Sequence, residues 1–147
     1  MPKTSPSAGR PLLELARVLL VDDDPASRLT LQTVLQAGGY HVDAAASAAE
    51  AVAKLDESEY ELVLTDLHME SPESGLKVLA YARMMEYKPA TAIITTYSNT
   101  RGRKASSRKS GTLLIEPEDL PGLLTKVADL VSERATRRVE RELRHAG

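Results

Sequence analysis

Cysteine is absent from the 147 residues, which removes disulfide frameworks, thiolate metal sites and cysteine nucleophiles from consideration. Phe and Trp are absent as well, and the aromatic complement is five tyrosines, so stacking on nucleic-acid bases has little to build on. On this composition the core is expected to consist of Leu, Val, Ile, Ala and Met. No apolar run approaches the roughly 20 residues of a membrane helix, and residues 1–11 lack the apolar stretch of a secretory signal. A soluble, cytoplasmic protein without a membrane partner is therefore expected. A large excess of either charge sign is missing too: 19 Lys and Arg against 21 Asp and Glu leave a formal charge of -2, with no global bias toward nucleic acid or acidic lipid.

What is present is a 42% apolar share, enough for one compact domain. Residues 1–14, rich in Pro, Ser, Gly and Lys, read as a flexible arm, because they bury too little to offset the entropy of ordering. The domain is expected over residues 15–132, and residues 133–147 read as a helical extension. Val18, Leu19, Leu20 and Val21 form a short continuous apolar run, the mark of a strand covered on both faces, and the run ends in Asp22, Asp23 and Asp24. Asp24 before Pro25 predicts an N-cap and a proline at the first helical position, and Gly38 with Gly39 predicts the end of that helix. A strand over 40–45 follows, and then Ser47 with Glu50 three residues on predicts a capping box. Further strands are expected over 62–65, 92–95 and 112–115. A helix is expected after Gly75, another between 98 and 110 where Ser, Arg, Lys and Gly dominate, and a last one carrying the stripe Leu120, Leu123, Leu124, Val127, Leu130 and Val131.

Strands alternating with helices imply an α/β fold with a parallel sheet covered on both faces. Ligands in such folds sit beyond the carboxyl ends of the strands, where Asp22, Asp23 and Asp66 all fall. Carboxylates gathered there repel one another unless a cation compensates them, and an all-oxygen donor set suits a hard divalent ion such as Mg2+. A solvated acidic rim would need the same residue types. The three histidines, His41, His68 and His145, have no ligand spacing.

Taken together, Val18–Pro25 (VLLVDDDP), Leu62–Met69 (LVLTDLHM), Ile93–Tyr97 (IITTY) and the step Glu116-Pro117 resemble the CheY-like receiver domains of bacterial response regulators. The resemblance covers about residues 17–132. It implies a doubly wound, flavodoxin-like sheet of five parallel strands in the order 2-1-3-4-5. It also implies that Asp66 accepts a phosphoryl group, that Asp23 binds Mg2+ directly and Asp22 through water, that Asp66 and the His68 backbone carbonyl complete the protein ligands, and that the Thr96 hydroxyl turns toward the phosphoryl group. The partners implied are a histidine kinase or phosphotransfer protein and a downstream protein. No catalytic turnover of another substrate is implied.

Five departures from that pattern stand out. Glu116 occupies the position of the family's lysine, so an anion replaces the cation that pairs with phosphoryl oxygens. The segment Glu70–Gly75 lacks the usual proline four residues after the acceptor and reaches its glycine about one residue late. Tyr97 is bulkier than the residue usual after the switch hydroxyl, and Leu113 and Leu114 lie where the family's coupling aromatic would be sought. Arg101, Arg103, Lys104, Arg108 and Lys109 form a basic run that reads first as a solvated face and otherwise as a substitute cation or a partner surface.

Three functions are compatible with these residues. The first is a stand-alone receiver acting through protein binding, expected because no output domain follows residue 132. The second is a phosphorylation-independent pseudo-receiver used for docking or dimerisation, to which Glu116 points. The third is a phosphohydrolase resembling the haloacid dehalogenases, with Asp22 as nucleophile and Asp24 as acid/base, which leaves Asp66 without a role. In residues 133–147 the stripe Ala135, Val139 and Leu143 among arginines and glutamates reads as a solvated helix end or as a surface for a partner or a second copy.

Overall fold

The computed structural model describes residues 16–66, 71–94, 113–115 and 120–146. Nine elements follow in chain order: β1 (Arg17–Val21), α1 (Pro25–Ala37), β2 (His41–Ala45), α2 (Ala48–Glu57), β3 (Leu62–Asp66), α3 (Pro72–Arg83), β4 (Ala90–Ile94), β5 (Leu113–Ile115) and α4 (Leu120–Ala146). All strand pairs are parallel, in the order β2-β1-β3-β4-β5, with the three-residue β5 at one edge. The arm over residues 1–14 and the helix expected between 98 and 110 lie outside the described residues.

The buried side chains of β1 divide by the period of two that a strand imposes. Val18 and Leu20 face one layer, with Leu31 and Leu35 of α1 and Leu123 and Val127 of α4. Leu19 and Val21 face the other, with Ala51 and Leu55 of α2 and Val78 and Ala82 of α3. Helices thus cover both faces, which is why the strand carries no alternation of polar and apolar residues. At about 25 cal/mol per Å2 of apolar area this burial is the main force holding the layers together.

Both predicted caps are present. Asp24 has extended backbone and its side chain accepts from the Ser27 N–H at 2.9 Å, with Pro25 at the first helical turn. Ser47 accepts from the Glu50 N–H at 3.1 Å, while the Glu50 carboxylate reaches back to the Ala46 N–H at 2.8 Å, one residue upstream of the position a standard capping box would use. Gly39 ends α1 with a φ of 103°, a conformation that disfavours any Cβ.

Two expectations are corrected. Helix α3 begins at Pro72 rather than after Gly75: Ser71 is its extended N-cap and Pro72 presets the first helical φ, as Pro25 does in α1, although Ser71, unlike Asp24, makes no side-chain cap bond. With that start the buried face is Val78, Leu79 and Ala82, and Leu76, expected at an apolar packing position, is 52% exposed. The core is also not purely aliphatic. Tyr60 is among the largest fully buried side chains at 1% exposure, and Tyr40 is buried in the opposite layer. Tyr60 is tolerated there because its hydroxyl donates to the Asp43 carboxylate at 2.7 Å.

Helix α4 runs 27 residues, well past the last core contacts at Leu130 and Val131. No helix among the described residues is long and apolar enough to cross a membrane.

Candidate functional site

In the order 2-1-3 the chain reverses direction across the sheet between β1 and β3, and a crevice opens at their carboxyl ends. Val21 stands opposite Thr65 in the ladder, so the next residue on each strand, Asp22 and Asp66, emerges at the same edge. Asp22 is held there by its backbone: its N–H donates to Ala45 O at 3.0 Å, extending the β1–β2 ladder by one residue. Its side chain, 3% exposed, accepts from the Asp24 N–H at 3.0 Å and so turns the chain into α1.

This turn leaves the third acidic residue committed elsewhere. The Asp24 carboxylate caps α1, whereas Asp23 is exposed beside the crevice. Asp22, Asp23 and Asp66 each offer a carboxylate oxygen, and these oxygens lie within 4.8 Å of one another. Among the described residues this is the one group of three such side chains that could hold a metal ion. Hard oxygen donors at that spacing fit Mg2+, which binds through one or two carboxylates and keeps several waters.

Arg28 is a site residue that sequence reasoning missed. It lies in the first turns of α1, and its guanidinium donates to the Asp22 backbone carbonyl at 2.7 Å, so a cation braces the acidic turn from behind. The only trace in the sequence is a single basic residue shortly after the acidic run. The Thr65 hydroxyl similarly donates to the Asp66 carbonyl at 3.3 Å.

The other predicted site residues, His68, Thr96 and Glu116, lie outside the described residues, as do Tyr97 and the basic run from Arg101 to Lys109. Leu113 and Leu114 are described as backbone, paired with Ala92 and Ile93.

Residues 18–116 match the family model of the response regulator receiver domain. The chain belongs to that family. A solved response regulator, TrrA of Thermotoga maritima in complex with Mg(2+)-BeF, is 32% identical, with a TM-score of 0.62 over 79% of this chain and 99% of that one. A response regulator receiver protein from Sinorhizobium medicae is 27% identical, with a TM-score of 0.70 over 83% of this chain and 98% of that one. Among curated proteins, the gliding motility regulatory protein of Myxococcus xanthus is 36% identical over 89 residues, 60% of this chain and 11% of that protein. The first curated relatives are much longer, and the receiver chain spans between 11% and 28% of their length.

Proposed function

We propose that this receiver accepts a phosphoryl group on Asp66, from a histidine kinase, a phosphotransfer protein or a small phosphodonor, and passes the signal on by protein binding. The observation that carries this reading is the convergence of the Asp22, Asp23 and Asp66 carboxylates within 4.8 Å at the ends of β1 and β3. Asp23 and Asp66 would hold Mg2+ directly, Asp22 through water, and the His68 carbonyl would add a ligand. When bound, Mg2+ neutralises charge developing on the transferred phosphoryl oxygens. The chain's own part is positioning. Asp22 is pinned by the Ala45 carbonyl and the Asp24 N–H, Arg28 braces the turn, and Asp66 presents its carboxylate from the end of a strand buried on both faces. Thr96 would supply the hydroxyl that turns toward the phosphoryl group.

Glu116 favours a second reading. A fourth carboxylate where the family has lysine repels a phosphorylated Asp66, so the acyl phosphate forms poorly or is short-lived, and the fold serves as a pseudo-receiver that acts by docking.

Intact-mass measurement after incubation with Mg2+ and acetyl phosphate separates the two. The first reading expects a phosphoryl adduct on the wild type that is absent from Asp66→Asn and longer-lived in Glu116→Lys. An adduct that forms on Glu116→Lys but not on the wild type supports the pseudo-receiver. An adduct retained by Asp66→Asn would overturn both.

A further inference from the structure

The opposite end of the sheet carries a second, unassigned feature. Because the strands are parallel, the helices return toward the amino ends of the strands, so the chain around Glu57, that around Glu86 and the outer part of α4 all gather at the end remote from the carboxylates. Three concavities adjoin there. One, of about 490 Å3, is lined by Met84 and Met85 together with Asp56, Glu57, Glu59 and Glu86. A second, of about 400 Å3, runs along α4 past Val131, Ala135 and Val139, with Arg134 and Arg138 and also Glu61 and Glu142 in its lining. The third, of about 270 Å3, joins them: Glu59, Glu86 and Tyr87 belong to it and to the first, and Arg134 and Arg138 belong to it and to the second. They form one trough in which carboxylates without a cation line one end, while Arg134, Arg138 and Arg141 lie toward the other beside Glu61 and Glu142, the last paired with Arg138 at 3.6 Å.

The asymmetry is marked for a chain with almost no net charge. Residues 56–61 contain four carboxylates and no cation, whereas residues 137–146 contain four arginines and two glutamates. Each end also exposes apolar side chains: Met84 is 72% exposed at the acidic end, and Val139 and Leu143 are 52% and 66% exposed at the basic end. A two-fold axis across the trough places the acidic half of one copy on the basic half of the other, twice over, which is the self-complementarity an isologous interface requires. A parallel or antiparallel coiled coil through α4 fits less well, since the exposed stripe is only Ala135, Val139 and Leu143.

We infer that this trough is a homodimer interface, in which the arginine-bearing end of α4 from one copy lies against the Met84 and glutamate surface of its partner, and reciprocally. The interface is remote from the carboxylate crevice and forms without phosphoryl transfer.

The test is sedimentation velocity on the full chain, without phosphodonor, over a concentration series at low and high salt. The wild type is expected to be dimeric at low salt and to dissociate at least tenfold more readily at high salt. Two charge-reversal pairs, Glu59→Lys with Glu86→Lys and Arg138→Glu with Arg141→Glu, are each expected to be monomeric, because the first leaves two carboxylates against two lysines in the acidic concavity and the second leaves two arginines against four glutamates over residues 137–146. Mixed one to one, they are expected to form a heterodimer. That rescue in trans is an outcome a merely misfolded variant cannot produce. A wild type that stays monomeric at low salt and high concentration would overturn the inference, as would reversal pairs that dimerise like the wild type or fail to associate when mixed.

Discussion

The two ends of the sheet are built on different terms. At the carboxyl end the side-chain contacts of the acidic turn are local: Asp22 accepts from Asp24, Asp24 caps its own helix at Ser27, and Arg28 reaches back to the Asp22 carbonyl. These bonds shape a turn while leaving three carboxylates close together, an arrangement that costs stability unless a cation is present. At the amino end the contacts are long-range. The Arg134 guanidinium donates to the carbonyls of Lys88 and Tyr87 at 3.0 and 2.6 Å, and the Tyr87 hydroxyl lies 3.1 Å from each of the carbonyls of Leu55 and Ser58. Lys88 is held there at a φ of 44°, unfavourable for a residue with a Cβ. One end gathers carboxylates on a locally shaped turn and the other is fastened across the chain, so substitutions at the two ends should separate the proposed function from stability.

The largest effect on stability is expected from Arg134→Ala. It removes two charge-assisted bonds from a side chain that is 8% exposed and leaves a strained loop unsupported, so urea unfolding should show a loss of about 2–3 kcal/mol. An acetyl-phosphate adduct, where the wild type forms one, should survive in the folded variant, since Arg134 lies far from Asp66. A loss of adduct in a fully folded Arg134→Ala would break the separation of the two ends.

Tyr60→Phe should cost less, about 1–2 kcal/mol, because it deletes one bond to a charged partner while Asp43 keeps Arg17 at 3.3 Å. The same tyrosine gives the amino end a pH signature. Burial first, and then the Asp43 carboxylate, push its phenol well above the ordinary tyrosine range. An unfolded tyrosine releases its proton near pH 10, where the folded one still holds it, so above that pH the unfolded state binds fewer protons and stability must fall as pH rises. The contribution is fully present below pH 10. Denaturant melts from pH 9 to 11 should show a decline that is shallower in Tyr60→Phe.

The smallest shift, and one of opposite sign, is expected from Asp22→Asn. The amide oxygen can still accept from the Asp24 N–H, while one of three mutually repelling charges is gone. Without divalent ions the variant should be as stable as the wild type or more so, by up to about 1 kcal/mol. Adding Mg2+ should raise the melting temperature of the wild type and much less that of the variant, because only a state that binds the ion is stabilised by it. Removing Mg2+ with a chelator should abolish the difference in response.

Much of the carboxyl end is legible in the sequence. Short apolar strands ending in acidic residues, Asp24 before Pro25, and Ser47 before Glu50 are patterns over a few adjacent residues, and their geometry is set by backbone rules that hold wherever they occur. The start of α3 is the exception: Gly75 suggests a boundary there, although Ser71 and Pro72 carry the same cap signal as Asp24 and Pro25. The amino end leaves almost no trace. Backbone carbonyls are the acceptors for Arg134 and Tyr87, and every residue has one, so no spacing or composition marks Tyr87, Lys88, Leu55 or Ser58 as partners.

The sequence alone determined the class of fold and the acidic character of the strand ends, because short continuous apolar runs, a periodicity of 3.6 and cap residues act within a few positions. Only the tertiary structure decided which groups meet. Asp66 joins Asp22 and Asp23 because β1 and β3 are neighbours in register, and Arg134 finds carbonyls 46 and 47 positions away because α4 packs back across the sheet. Those meetings depend on how the layers are stacked, and stacking is a property of the whole buried core rather than of any segment.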